Sequence, residues 1–164
     1  MSGKTLTIEQ ILTLLAETPP RLAALTAGLT ETQLHTPPAE GEWSANDVLA
    51  HLRACGDIWG DHIRAILTED NPTRRAMNPT TWIKHTDYLE LEFQPSLRAF
   101  TAQRTELLER LKLLTEEQWH RTATLVGAGK PLQRTVLSYA NGMAIHERPH
   151  IKQIERMVTK MPKP

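Results

Sequence analysis

The stretch Ser44–Thr68, SANDVLAHLRACGDIWGDHIRAILT, contains the clearest folding signal in the sequence. The Ser44 hydroxyl can accept a backbone N–H of a first helical turn, and Asp47 three residues later supplies the acid of a capping box. One set of side chains then recurs every three or four residues, as on a single helix face: Val48, His51, Cys55, Ile58, His62 and Ile66. The stretch therefore predicts an amphipathic helix with two histidines on its buried face.

Similar spacing of apolar residues predicts three further long helices. They cover about residues 7–34, about residues 95–113, and the region from the glycine-bearing loop at residues 127–131 to about residue 160. We expect a kink or short break at Pro19-Pro20, because proline removes a helix N–H and clashes with the preceding turn. A single extra turn is predicted at Thr115–Trp119, and no segment has the pattern of a convincing strand.

Four helices of this length in one chain predict an all-α four-helix bundle. The connection from Glu69 to Phe93 is too long for a tight turn between packed helices. We expect it to be a long crossover between helices 2 and 3 that spans the bundle and leaves these two helices parallel. The chain has 164 residues, no internal repeat and no flexible linker, so residues 1–164 are predicted to form a single domain.

Composition excludes several classes of function. Nineteen basic residues balance nineteen acidic ones, so no overall field attracts nucleic acid or anionic lipid. No apolar run approaches the ~20 residues needed to cross a bilayer, and the N-terminal residues do not resemble a signal peptide. The single cysteine cannot form an internal disulfide, which favours a reducing compartment. We therefore expect a soluble cytoplasmic protein that acts on a small molecule, not on nucleic acid or a membrane.

Three of the seven histidines can meet at one point. His146 and His150 are spaced i, i+4, so their imidazoles point in nearly the same direction. Both lie on an apolar stripe, where an unpaired imidazole is costly to bury. If the second and fourth helices are antiparallel, His51 reaches the same level. The alternatives are a divalent metal site with open positions, or three core histidines bonded to neighbouring groups.

Other groups near these positions have competing interpretations. Cys55, one turn after His51, is a fourth ligand, a redox-active thiol or a small buried hydrophobe. Asp47 either orients the His51 imidazole or only caps its helix. Glu147 follows His146 and points about 100° away around the helix, so we do not expect it to be a general base, although the i, i+4 spacing of the histidines does not by itself exclude zincin-like chemistry. The remaining histidines are expected at helix ends, in packing or on the surface: His35, His62, His85 and His120.

Two motifs carry a resemblance to a known family. GEWSANDVLAHL at Gly41–Leu52, followed about ninety residues later by AIHERPHIKQI at Ala144–Ile154, resembles the DinB/YfiT-like superfamily. The resemblance implies an up-down-down-up four-helix bundle, often a homodimer, that holds a divalent metal, usually Zn²⁺ or Ni²⁺, on three histidines. These match His51, His146 and His150.

One departure from the family pattern is Pro149, which stands between the two terminal histidines where other members often carry a further histidine. Proline inside a helix costs about 3 kcal/mol and removes one backbone hydrogen bond. The resulting bend either aims the imidazoles or spoils their geometry, and we expect the former.

The resemblance also implies a choice of activities. Members with known activity include transferases and isomerases that use a low-molecular-weight thiol such as mycothiol, bacillithiol or glutathione. We therefore expect a metal-dependent enzyme, either a thiol-dependent S-transferase or isomerase, or a hydrolase, because a divalent ion lowers the pKa of a bound thiol or water. The alternative is a non-catalytic metal-binding or stress-related protein. The sequence assigns no catalytic residue.

Overall fold

Helices make up most of the chain in the computed structural model, which describes residues 4–162. In chain order they are α1 (Ile8–Thr26), α2 (Glu31–His35), α3 (Ala45–Thr68), α4 (Pro79–Trp82), α5 (Phe93–Lys112), α6 (Glu116–Trp119) and α7 (Val136–Thr159). A 3₁₀ turn, Ile83–His85, follows α4. The long helices α1, α3, α5 and α7 form the predicted all-α bundle, and α6 is the predicted extra turn.

The cap predicted at the start of α3 is present. The Ser44 hydroxyl accepts the Asp47 N–H at 3.1 Å, and the Asp47 carboxylate accepts the Ser44 N–H at 2.8 Å. The N-cap threonines of α1 and α7 form capping boxes of the same kind. At α5, whose N-cap makes no side-chain bond, the Glu31 carboxylate of α2 accepts the first backbone N–H at 3.0 Å.

Contacts between α3 and α5 show that these helices are parallel. Arg53 donates to the Ser96 hydroxyl at 3.0 Å, and Gln103 donates to the Asp57 carboxylate at 2.6 Å. The contacts thus advance along both helices in the same direction. The long crossover predicted from residues 69–93 produces this arrangement, because it carries the chain back to the end of the bundle at which α3 began.

The two outer helices of the sequence are also parallel to each other. The backbone N–H of Leu6, just before α1, donates to Asn141, and Thr18 donates to Glu147. Contacts between α3 and α7 run in the opposite order, His51 with His146 and His62 with Tyr139. The bundle therefore has the up-down-down-up order that the family resemblance implied.

A small sheet corrects the expectation that the chain has no strand. It contains β1 (Thr73–Arg75), β2 (Thr122–Val126) and β3 (Leu132–Thr135) in the order β1-β2-β3. β2 and β3 form an antiparallel hairpin across the loop that contains Gly127 and Gly129, both at positive φ. β1 pairs with β2 in parallel, although about fifty residues separate them. Strands this short have no readable periodicity, and distant pairing partners leave no local signal.

Of the kink or short break expected at Pro19-Pro20, the break is wrong: α1 continues through both prolines, and the chain leaves the helix only near Gly28, which has a φ of +78°. Pro19 has no N–H for the Leu15 carbonyl. That carbonyl instead accepts a hydrogen bond from the buried Arg104 guanidinium of α5 at 2.8 Å. A tertiary contact thus replaces the missing helical bond. α7 likewise runs unbroken through Pro149.

Two apolar clusters fill the bundle, one towards each end. Along α7 the first cluster ends at Ala144 and the second begins with Ile151. The histidine-bearing turns of α7 lie between them, at a polar level in the middle of the bundle. Within residues 4–162, no helix has both the length and the hydropathy needed to cross a membrane.

Candidate metal centre

Three imidazoles converge at the polar level between α3 and α7. The Nε2 atom of His146 lies 3.3 Å from Nε2 of His51 and 3.3 Å from Nε2 of His150. The ring centroids of His51 and His150 are 4.8 Å apart. All three side chains are half-buried. The structure therefore brings together the three residues that the sequence proposed as ligands, and it does so through the antiparallel packing of α3 against α7.

The spacing of these nitrogens fits one bound cation. Two nitrogens held by the same zinc ion at about 2.0–2.1 Å in a tetrahedral arrangement are about 3.3 Å apart. Hydrogen bonding among the rings does not satisfy the cluster, because a ring nitrogen has either one proton or one lone pair. Nε2 of His146 faces two other Nε2 atoms, and its Nδ1 is buried without a partner among residues 4–162. The donor set is thus suited to a divalent ion.

The protonation state of the cluster also favours binding of a metal cation. Burial lowers the pKa of His51 to about 4, and the neighbouring His150 and His146 add to the shift. Burial and His150 likewise lower the pKa of His146 to about 4. Both imidazoles are therefore neutral near pH 7, which is the form with a lone pair free to bind metal.

Neighbouring side chains hold the rings in place. The Trp43 ring lies nearly parallel to His150 with centroids 6.2 Å apart, and Trp59 meets His146 edge-on at 5.1 Å. The amide oxygen of Gln153 lies 3.2 Å from Nδ1 of His150. When Nδ1 donates to this oxygen, Nε2 of His150 presents its lone pair to the cluster.

Cys55 is a fourth candidate ligand. Its Sγ lies 3.6 Å from Nε2 of His51, and the donor atoms of His51, Cys55 and His146 all lie within 4.8 Å of one another. Burial, with a smaller contribution from Glu147, raises the pKa of the Cys55 thiol to about 12. The thiol is therefore protonated at neutral pH, whereas metal binding requires the thiolate. A bound divalent ion would itself lower the pKa of this thiol, so Cys55 and His150 are both candidates for the third ligand beside His51 and His146.

Glu147 is placed away from the cluster, as its position on the helix predicted. Its carboxylate is buried and forms an ion pair with Arg104 of α5, and the Thr18 hydroxyl donates to it at 2.7 Å. The carboxylate is thus fully engaged and is not a free general base. Asp47 is likewise engaged in the cap of α3, so the capping interpretation of that residue is confirmed.

The remaining histidines separate into surface groups and one buried group. His35 pairs with Glu31, His120 contacts the Glu116 carbonyl, and His85 is exposed. His62 differs: it is only 3% exposed. Its Nδ1 lies 3.0 Å from the Tyr139 hydroxyl. Sequence reasoning did not assign it to a site, although its place three turns along the His51 face was the available signal.

Two cavities flank the cluster. One, of about 330 Å³, reaches His146 and extends towards Tyr139. The other, of about 560 Å³, opens at His150 and is lined by Trp43, Arg156 and Lys160 among others. Small-molecule sites usually occupy pockets of ~300–1,000 Å³. Both sides of the cluster are therefore accessible to small molecules.

The fold and the site together define the class of this protein. It is a helical-bundle protein with up-down-down-up order and a candidate metal centre, in which three imidazoles from α3 and α7 meet. The chain matches the DinB superfamily over residues 14–154, and it belongs to that family.

Relatives in the same family are of similar length. A protein of Geobacillus kaustophilus is 30% identical over 142 residues, which cover 83% of this chain and 75% of the relative. YfiT of Bacillus subtilis is 24% identical over 150 residues, covering 90% and 82%. Both relatives are named provisionally as metal-dependent hydrolases. A solved structure of YfiT, described as an unusual four-helix bundle, matches with a TM-score of 0.83 at 20% identity, over 100% of this chain and 94% of the other.

Proposed function

We propose that this protein is a metal-dependent hydrolase whose divalent ion is held by His51, His146 and His150. The observation that carries the proposal is the convergence of three imidazoles at metal-ligand spacing, with 3.3 Å between Nε2 of His146 and each neighbouring Nε2. The provisional names of the relatives support hydrolysis as the reaction class. Three nitrogen donors suit Zn²⁺ or Ni²⁺, and we propose that the bound ion is one of these two.

The protein side chains have defined tasks in this proposal. His51, His146 and His150 bind the ion, and Gln153 orients His150 through its Nδ1. When bound, the ion supplies Lewis acidity and lowers the pKa of a water molecule at an open position. Trp43 and Trp59 restrict the rings from outside, which keeps the donor atoms aimed at one point. In this proposal the Cys55 thiol lies beside the site and is not a ligand.

A second candidate function is transfer of a low-molecular-weight thiol, in an S-transferase or isomerase. The cavity that opens at His150 supports it, because Arg156 and Lys160 on its wall can bind the carboxylates of such a thiol. The non-catalytic alternative is a metal-binding or stress-related protein. We also propose, from the family resemblance, that the protein is a cytoplasmic homodimer, which light scattering after size-exclusion chromatography tests.

Metal analysis of the untagged purified protein tests the ligand set. We expect close to one equivalent of Zn²⁺ or Ni²⁺ per chain, and loss of most of it in His51→Ala, His146→Ala and His150→Ala. His120→Ala is the matched control, because that imidazole is exposed and remote from the cluster. Metal content below about a tenth of an equivalent in the unmodified protein would contradict the proposal.

Two further measurements separate the alternatives. Cys55→Ser keeps its metal if His150 is the third ligand and loses it if the thiol is. Turnover of an ester and amide panel without added thiol supports hydrolysis, whereas turnover that requires a thiol supports the second candidate. A metal-loaded protein inactive in both assays supports the non-catalytic alternative.

A further inference from the structure

The cavity beside His146 contains a polar group that the metal site does not use. We call it the Tyr139 cavity; its polar lining is His62, Arg134 and Tyr139, and its apolar walls include Trp59, Leu125 and Met143. With a volume of about 330 Å³ it has the size for one small molecule. The combination of apolar walls and a few convergent polar groups is typical of a ligand site.

The polar group is built from three elements and is only partly satisfied. Nδ1 of His62 on α3 lies 3.0 Å from the Tyr139 hydroxyl on α7. The Arg134 guanidinium carbon, from β3, stands 4.8 Å from the centre of the Tyr139 ring. Nε of Arg134 is buried without a hydrogen-bond partner among residues 4–162. Buried donors are nearly always paired in folded proteins, so the side chain of Arg134 is incompletely satisfied. Arg134 as a whole is half-buried and lines the cavity, so a ligand would meet its guanidinium there and not at the enclosed Nε.

The local charge favours an anion. Arg74 and Arg134 both lie close enough to His62 to oppose its protonation. Arg74 forms an ion pair with Asp61, which also pairs with Arg64. None of the ion pairs among residues 4–162 includes Arg134. The cavity wall therefore has an excess of positive charge, and a carboxylate ligand can supply the partner that Arg134 lacks.

The cavity reaches from this group to the histidine cluster. Tyr139, Met143 and His146 are spaced i, i+4, i+7 on α7 and line the same cavity. Seven residues at 1.5 Å each place His146 roughly 10 Å along the helix from Tyr139. A molecule bound at Arg134 by one end can thus present its other end to the cluster.

We propose that the Tyr139 cavity binds the carboxylate end of an acyl substrate, with Arg134 as its ion-pair partner and the Tyr139 hydroxyl as a second hydrogen-bond donor. The apolar walls take the hydrocarbon part, and the reactive acyl group lies at the cluster. The last point rests on the proposed hydrolase function, whereas binding of the carboxylate does not. When Nδ1 of His62 donates to the Tyr139 oxygen, the phenol proton is free for the ligand, so His62 is a positioning residue.

Calorimetric titration with two matched probe pairs tests the proposal. Phenylacetate and hexanoate carry the carboxylate, and phenylacetamide and hexanamide are their neutral counterparts. We expect at least one carboxylate to bind at least about tenfold more tightly than its amide, because only the carboxylate forms charge-assisted hydrogen bonds with Arg134. Equal binding within both pairs, or no carboxylate binding at millimolar concentration, overturns the proposal.

Variants assign the preference to the cavity. Arg134→Met is expected to abolish the preference for the carboxylate over the amide, and Tyr139→Phe is expected to weaken carboxylate binding several-fold. Arg98→Met, which removes an exposed arginine elsewhere, should leave the preference and the carboxylate affinity unchanged. Metal content is measured for every variant. A preference that survives in Arg134→Met with full metal content means that the carboxylate binds elsewhere, for example on the ion, and overturns the proposal.

The positioning role of His62 needs its own comparison. His62→Asn keeps a side-chain group near the Nδ1 position, whereas His62→Leu does not. We expect His62→Leu to lose as much carboxylate affinity as Tyr139→Phe does. His62→Asn should retain most of the carboxylate affinity of the unmodified protein. Equal loss in both variants contradicts positioning through Tyr139. If the purified protein contains no metal, the proposed hydrolase function fails, whereas the cavity assignment stands as long as the carboxylate preference is observed.

Discussion

The Arg104 guanidinium of α5 and the Glu147 carboxylate of α7 form a two-point ion pair inside the bundle, with side chains only 3% and 6% exposed. The Thr18 hydroxyl and the Leu15 carbonyl of α1 complete their hydrogen bonds at 2.7 and 2.8 Å. One polar contact thus ties three long helices together at the level of the histidine cluster.

Removing one partner of this pair is expected to be strongly destabilising. Arg104→Met leaves the Glu147 carboxylate buried without its counter-charge, which costs about 3–5 kcal/mol of unfolding free energy. Adding Glu147→Gln to the same chain removes the stranded charge and recovers part of the loss. Urea unfolding of the two variants beside the unmodified protein measures both effects. Equal stability of the single and double variants would contradict a charge-pair role.

Acid is expected to weaken the metal-free fold through the cluster. The pKa values of His51 and His146 are about 4 in the folded chain and near 6.5 in the unfolded chain. Between these values the unfolded chain binds more protons, so stability is full above about pH 6.5 and falls as the pH drops towards 4. The melting temperature of EDTA-treated protein, recorded from pH 7.5 to 4, checks the direction.

The control for this pH dependence is a variant with both His51→Asn and His146→Asn. The melting temperature of this variant should decline less as the pH falls, because neither asparagine titrates in this range. A melting temperature with the same pH profile in both proteins would show that other groups cause the decline.

Two glycines of α3 are expected to respond differently to alanine. A Cβ at Gly56 would clash with the Gln103 amide, so Gly56→Ala displaces a side chain that donates to Asp57. At Gly60 there is open space, and Gly60→Ala gains the helix propensity of alanine, about 1 kcal/mol. Gly56→Ala gains the same propensity but loses the Gln103 hydrogen bond, so thermal unfolding should rank Gly60→Ala above both Gly56→Ala and the unmodified protein. A higher melting temperature for Gly56→Ala than for Gly60→Ala would contradict the packing of Gln103.

Cys55 is expected to react slowly with thiol reagents in the native protein. Burial raises the pKa of its thiol to about 12, so little thiolate is present at pH 8. Labelling by iodoacetamide, followed by mass spectrometry, should be much slower than in the urea-unfolded chain. Equal rates in the two states would show that the thiol is neither buried nor held protonated, and would restore it as a candidate redox group.

The sequence predicted the fold class and the parallel pair of central helices because these features have local signals. Helix faces repeat every three or four residues, the capping box at Ser44 marks a start, and the length of the connection from Glu69 to Phe93 excludes a tight turn. The sheet was missed because β1 and β2 are short and their pairing joins distant residues. The break expected at Pro19 was wrong because a hydrogen bond from Arg104 supplies what the helix lacks.

What the sequence by itself determined is the set of groups available to a site: His146 and His150 one turn apart on α7, and His51 on the buried face of α3. Helical geometry places these side chains on the inward face of each helix, so the spacing in the sequence suffices to identify them. Only the tertiary structure decided which groups meet, bringing Nε2 of His51 within 3.3 Å of His146 and pairing His62 with Tyr139. Those contacts depend on how two antiparallel helices are set against each other, which the packing of the whole bundle determines and no local pattern records.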